Sequence, residues 1–299
     1  MDLDDDGNLD VLSGSYSRMD TDMAGLFQVL RGRKDGTFAK AEVLNGSDGK
    51  PLILPRRGGL ANLLKQLTGS VSDDWGDRIC TRPFAADLNG DGNLDLVSGN
   101  VTGTFAFFAG QGSGKFAPRA TWLSADGKKM AVSCHGDPFL VDWDKDGDLD
   151  LLSGSSEGGA FLFPNLGSRT EPKFGAMVTL LAAPGHRGDE EVRFGDAHCT
   201  APGEDTRLWV DDVNGDGKLD LLLGDQVDLM HVAEGVTEGD ARVKLATWTK
   251  ERTEFFEQPR AKDASSRKKW QDAYEKLEKR KQAFVKDESI GFVWLLLQK

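Results

Sequence analysis

Apolar residues in this chain fall in short runs separated by glycine and aspartate, and the same order of runs recurs along the sequence. One kind precedes an acidic loop: Pro83–Ala86, Pro138–Val141 and Arg207–Val210. A second follows the loop at once, as in Leu94–Ser98 and Leu149–Ser153, and each of these is followed by glycine. A glycine-rich turn then leads to a third, aromatic run: Leu26–Leu30, Thr104–Phe108 and Ala160–Phe163. Turns of the type Asp35–Phe38, Ser113–Phe116 and Glu171–Phe174 open a fourth segment. Runs this short, bounded by turn formers, predict strands. Four antiparallel strands per repeat make the blade of a β-propeller, where radial repetition leaves only short edges. A parallel β-helix would need shorter and more uniform coils. The expected fold class is all-β, with about four to five blades of four strands, the set not necessarily complete.

Two stretches break this pattern. Leu60–Leu67 carries apolar residues at i, i+3, i+4 and i+7, which predicts a short amphipathic helix on the rim between two blades. Residues 237–288 lose strand character and become rich in Lys, Arg, Glu and Ala. Leu245, Trp248, Arg252 and Phe255 fall on one helical stripe, and Trp270, Tyr274, Leu277, Lys281 and Phe284 on another, with Pro259 between them. The expectation is an antiparallel helical hairpin over 237–288. Gly291–Leu297 then returns as an aromatic strand, so the hairpin enters the fourth blade between its second and third strands. The domain reading is a propeller over 1–236 and 289–299 with that hairpin inserted. The hairpin is basic in balance and reads as a solvated spike with paired surface charges, or as a face that docks on a partner.

The acidic loops carry the chemistry. Asp2–Asp10, Asp87–Asp95, Asp142–Asp150 and Asp212–Asp220 all fit D-x-[DN]-x-D-G-x-L-D. Side-chain oxygens at positions 1, 3 and 5 alternate inward around a cation, and glycine at position 6 supplies a left-handed turn. In the first loop these are Asp2, Asp4 and Asp6, and in the second Asp87, Asn89 and Asp91. The third loop offers Asp142, Asp144 and Asp146, and the fourth Asp212, Asn214 and Asp216. Position 7 holds Asn8, Asn93, Asp148 and Lys218, chemically unrelated residues that would contribute only a backbone carbonyl. Asp10, Asp95, Asp150 and Asp220 at position 9 would complete the shell. A hard, all-oxygen, flexible set of this kind suits Ca²⁺ better than Mg²⁺, with about four ions expected. An EF-hand would need an acidic residue at position 12, where Ser13, Ser98, Ser153 and Leu223 stand, and flanking helices in place of strands.

Loops and flanking strands together resemble the FG-GAP or VCBS repeat of integrin-α-type β-propellers over most of residues 1–236. The resemblance implies Ca²⁺ at all four loops, an extracellular, periplasmic or cell-surface setting, and a role in binding protein or glycan. The motif starts lie 85, 55 and 70 residues apart, less regular than in seven-bladed members. The first strand of blade one should precede Asp2, where only Met1 stands, and nothing follows Lys299 to supply a last strand. The expectation is an N-terminally truncated piece of a longer protein, or four blades completed by something else.

Composition narrows the classes further. The 299 residues carry 37 Lys+Arg against 49 Asp+Glu, a net charge of -12, which argues against nucleic-acid binding. Seventeen of those acids lie in or beside the four loops, so the acidity is largely ligand inventory. No apolar run is long enough for a transmembrane helix, and the N-terminus shows no signal-peptide pattern. Cys80, Cys134 and Cys199 each precede a first strand, so with His135 and His198 they could meet near a propeller axis as a soft-metal site, or simply pack there. No catalytic motif stands out, and a lyase or hydrolase acting on polysaccharide rests on fold analogy alone.

Overall fold

A computed structural model describes residues 1–16, 25–54, 78–184, 194–196, 199–257 and 264–299, with side chains from 267 onward in the last stretch. The predicted helix at Leu60–Leu67 lies outside the described residues. The chain divides into two compact units. One comprises Met1–Pro184, Pro202–Asp225 and Val293–Lys299, and the other Gly185–Ala201 and Gln226–Phe292.

The first unit holds four antiparallel sheets arranged as propeller blades. Blade one is β1 (Val11–Ser13), β2 (Gln28–Leu30) and β3 (Glu42–Val43). Blade two is β4 (Arg82–Ala86), β5 (Asp95–Gly99), β6 (Ala106–Phe108) and β7 (Thr121–Trp122), followed by a small ribbon of β8 (Ser124–Ala125) and β9 (Lys128–Lys129). Blade three runs β10 (Asp137–Val141), β11 (Asp150–Gly154), β12 (Ala160–Phe163) and β13 (Val178–Leu181). In blade four, β14 (Glu204–Asp211) pairs with the long β15 (Asp220–Val232), and β17 (Val293–Leu296) pairs with residues Leu221–Gly224 of β15. The helical segment therefore lies in sequence between β15 and β17.

Second strands are apolar on both sides because each serves two cores. All five residues of β5 and of β11 are buried. Successive strand side chains point to opposite faces. Leu96 accordingly packs with Phe27, Val29 and Phe108 between blades one and two, whereas Val97 packs with Leu140, Leu151 and Phe163 between blades two and three. Leu151 and Leu152 split in the same way, Leu152 joining Val210, Leu221 and Leu223.

The glycine ending each second strand explains itself by what lies against it. A Cβ on Gly14 would fall 1.7 Å from the Thr81 carbonyl oxygen, on Gly99 1.9 Å from that of Gly136, and on Gly154 2.2 Å from that of Thr206. Backbone of the next blade thus passes directly over the glycine. Hydroxyls lock two of these seams: Ser15 N–H donates to Thr81 Oγ1 at 2.6 Å, and Ser155 N–H to Thr206 Oγ1 at 3.0 Å. Gly224, at the same place in blade four, has nothing within 4 Å of such a Cβ.

In the second unit, α1 (Glu238–Glu257) and α2 (Ala264–Lys281) follow the distal half of β15. Thr237 caps α1, its hydroxyl accepting from Asp240 N–H at 3.1 Å, and Lys279–Lys281 suit the negative end of the α2 dipole. Ala241, Leu245, Trp248 and Leu277 form its core with Phe284 and Val285, and Trp248 Nε1 donates to the Leu277 carbonyl at 3.0 Å. One expectation is corrected here: Val285–Ile290 is a strand, β16, paired with Val227–Val232, and Phe284 lies beyond the end of α2. Helical spacing and solvated charge mask a ribbon whose outward residues are Lys286–Ser289. None of the described helices is long and apolar enough to cross a membrane.

The seam predicts a contrast. Gly99→Ala or Gly154→Ala forces backbone against backbone and should cost about 3 kcal/mol in denaturant melts. Gly224→Ala, facing open space, should stay within about 0.5 kcal/mol of wild type.

Candidate metal centre

All four acidic loops fold alike because the same side chains cap the same backbone groups. The position-1 carboxylates bond the N–H groups of positions 5 and 6: Asp2 takes Asp6 and Gly7 at 3.1 and 2.8 Å, and Asp87 takes Asp91 and Gly92 at 3.0 and 3.1 Å. Asp142 takes Asp146 and Gly147, both at 3.0 Å, and Asp212 takes Asp216 and Gly217 at 3.0 and 2.8 Å. Position 3 adds a bond to the position-5 N–H from Asn89, Asp144 and Asn214 at 3.0, 3.3 and 2.8 Å. Position-5 carboxylates in turn accept from the position-7 N–H: Asp6 from Asn8, Asp91 from Asn93, Asp146 from Asp148 and Asp216 from Lys218, at 2.8 to 3.1 Å. These N–H bonds hold the Asp91 and Asp216 carboxyls below the usual carboxylate range.

Such winding needs two left-handed residues per loop. Gly7, Gly92, Gly147 and Gly217 at position 6 have φ between +85° and +98°. Position 4 is left-handed too, at Asp5, Gly90, Lys145 and Gly215, with φ between +62° and +74°. The sequence marks this second requirement only in the two loops that use glycine.

Position 9 has a task beyond ligation. Asp10, Asp95, Asp150 and Asp220 are 6, 0, 2 and 0% exposed. One oxygen of each accepts from the position-2 N–H of its own loop, on Leu3, Leu88, Trp143 and Val213, at 3.0 to 3.2 Å. The other reaches the chain just beyond the third strand, accepting from Gly32, Gly110, Asn165 and Gln298 N–H at 2.7 to 3.0 Å. Burial nevertheless pushes the Asp95 and Asp150 carboxyls up, with the N–H bonds opposing it.

The loops differ in the oxygens they gather. Carboxylate oxygens of Asp142, Asp144 and Asp146 lie within 4.8 Å of one another, and so do those of Asp2, Asp4 and Asp10. Asn89 and Asn214 replace one carboxylate each in the second and fourth loops. At position 7, Asn8 and Asn93 turn their amides back onto Asp6 and Asp91 at 2.9 Å, and Lys218 is exposed. Asp148 is 6% exposed, its Oδ1 has no hydrogen-bond partner, and burial together with Asp146, Asp150, Asp144 and Asp142 pushes its pKa up to about 6. Two cations of the chain also touch loops. Arg31, which no pattern in the sequence singles out, pairs with Asp4 and Asp10 at 3.2 and 3.1 Å, and Arg169 reaches Asp87 at 3.2 Å from blade three.

The cysteines do not share an equivalent place. The left-handed residues immediately before the seam residues Thr81, Gly136 and Thr206 are Cys80, His135 and Asp205, so only Cys80 among the thiols sits at the repeated position. Burial pushes the Cys80 thiol up and the His135 imidazole down, while Cys134 bonds Ser156 and Cys199 is half-buried. Among the described residues no cluster of three ligand atoms within 4.8 Å includes a cysteine or histidine; His198 lies outside them.

Residues 87–153, from the second loop to the third, match the family model of the FG-GAP-like repeat. No curated protein matches the chain. Among solved structures, a mutant of the Tc holotoxin pore of Photorhabdus luminescens is similar at 19% identity and a TM-score of 0.34, over 67% of this chain and 7% of that one. A likeness that weak carries no argument. Residues 87–153 thus carry an FG-GAP-like repeat, and its loop and strands recur on four blades of the β-propeller.

Proposed function

We propose that this chain is a calcium-stabilised binding module, in which Ca²⁺ rigidifies the blade loops and the propeller surface or helical hairpin engages a protein or glycan. The observation that carries the calcium reading is the third loop, where three carboxylates converge within 4.8 Å and a buried fourth, Asp148, has an oxygen without a partner. A group of like charges held this close is costly on its own, and the all-oxygen set suits a hard divalent cation. Asp142, Asp144 and Asp146 would hold the ion there by side chains; Asp87, Asn89 and Asp91, and Asp212, Asn214 and Asp216, would do so in the second and fourth loops. The carbonyls of Asn93, Asp148 and Lys218 would complete these three sets. Bound Ca²⁺ supplies no reaction in this reading; it neutralises charge and fixes loop shape.

Open, solvent-exposed loops with modest charge suit the roughly 10⁻⁴–10⁻³ M affinities of extracellular calcium modules, which supports an extracellular, periplasmic or cell-surface setting. Retention on glycan and protein arrays, scored alongside turnover, tests the partner half of the proposal; turnover without retention would favour a polymer-degrading enzyme.

Titration calorimetry with Ca²⁺, paired with melts in Ca²⁺ and in chelator, tests the metal half. Each occupied site should add about 1.4 kcal/mol at ten times its Kd, so the melt should fall by several degrees in chelator. An unchanged melt and no binding heat would overturn it. Two variants separate ligation from bracing. Asp91→Ala should abolish one site while costing about 1 kcal/mol without metal, because its loop is exposed. Asp95→Ala strands buried N–H groups of Leu88, Asn89 and Gly110 and should cost about 3–5 kcal/mol with or without Ca²⁺.

A further inference from the structure

The four loops share one winding, yet among the described residues only the first has a cation of the chain bridging two of its carboxylates. Arg31 follows β2 directly; the residues at the same place in the other blades are Ala109, Pro164 and Leu297, none of them charged. Its Nη1 bridges Asp10 Oδ2 at 3.1 Å and Asp4 Oδ2 at 3.2 Å, and its Nε faces Glu42 at 3.5 Å. Asp4 and Asp10 are two of the three residues whose oxygens gather in that loop, with Asp2 the third. The guanidinium is not a loose surface group, being 24% exposed. It lies over Gly114 of the neighbouring blade, where a Cβ would come within 3.3 and 3.4 Å of its two terminal nitrogens. The glycine therefore makes room for it.

Arg169 at the second loop is a different case. Its side chain is 60% exposed and its guanidinium pairs with Asp87, whose carboxylate already caps the turn, while its stem lies against Gly90. The third loop contains a lysine, Lys145, at position 4, yet no ion pair to its carboxylates is present among the described residues.

We propose that Arg31 is the built-in cation of the first loop, standing between Asp4 and Asp10 in the place of a metal, while the remaining loops depend on Ca²⁺. A divalent ion drawn to Asp4 and Asp10 would meet the guanidinium on the same two carboxylates, and their charges repel at such separations. A planar guanidinium with several fixed donors bridges two carboxylates well, and it is held by the same chain at high effective concentration. Asp4 Oδ1, buried and without a donor, is the oxygen left for a metal once the arginine is gone. The functional consequence is a graded propeller, with one blade folded at any calcium level and the others tightening as calcium rises.

This inference rests on calcium binding by the other loops, and the experiment separates the two. Ca²⁺ stoichiometry is measured by calorimetry on the full chain and on Arg31→Gln, Asp6→Ala and Asp146→Ala. Arg31→Gln should bind one more ion than wild type. Asp6→Ala in the wild-type background should leave the stoichiometry unchanged, whereas Asp146→Ala should lower it by one. A loss of one ion in Asp6→Ala, or no gain in a folded Arg31→Gln, would overturn the arginine proposal. If Arg31→Gln does not fold, the Asp6→Ala comparison decides alone. Wild type binding no ion at all would instead sink the calcium reading, with a gained site in Arg31→Gln still upholding the role of Arg31 and its absence refuting it.

Discussion

A buried carboxylate at the ninth position ties every acidic loop to the hairpin of its own blade. One of its oxygens holds the loop entry and the other the chain leaving the third strand, so loop, second strand and third strand are set by one side chain. Burying a charged group costs several kcal/mol unless it is fully bonded, and here the backbone supplies the bonds. The constraint works in both directions. A loop braced in this way is already wound before any ion arrives, and carboxylates at positions 1, 3 and 5 are brought near one another by bonds to the loop's own N–H groups. Under the proposed calcium reading, an ion would complete a shape that the backbone has largely formed, which lowers the ordering cost that association must otherwise meet.

The glycine seam is the second constraint, and it joins blades where the carboxylate joins strands. Backbone of one blade lies directly over Gly14, Gly99 and Gly154 of the blade before it, and threonine hydroxyls bridge the seam at Thr81 and Thr206. Leu223 and Asp225 replace the serines found beside Gly154, and Asp225 binds Gly203 N–H and Trp294 Nε1 within its own blade. Blade four thus keeps the glycine but turns the flanking polar group inward.

Much of this was legible in the sequence, and the physical reasons separate what was from what was not. Alternation of apolar runs with glycine and aspartate located the first strands at Pro83, Pro138 and Arg207 and the aromatic third strands, because both flank second strands buried on both faces. The D-x-[DN]-x-D-G spacing located the loops because their winding is fixed by local bonds. Contacts between distant segments left no such mark. Arg31 and Asp10 are far apart in sequence, and nothing local distinguishes Arg31 from a solvated arginine. Val285–Ile290 reads as the end of a helix because its strand identity depends on pairing with Val227–Val232. The cysteines looked equivalent by their distance from the next strand, but the backbone aligns Cys80 with His135 and Asp205 instead. Position 4 was half visible, since aspartate and lysine tolerate at Asp5 and Lys145 the conformation that Gly90 and Gly215 adopt freely.

Because neighbouring residues of β5 and β11 face opposite cores, each blade is a link between two others rather than a self-sufficient body. A row of this kind behaves as a one-dimensional array, whose stability is mostly nearest-neighbour coupling. Damage to Val97 or Leu151 is therefore felt in two blades at once, and an interior blade cannot be excised without leaving two apolar faces bare. Change in such a chain is most readily accommodated by gaining or losing repeats as whole units.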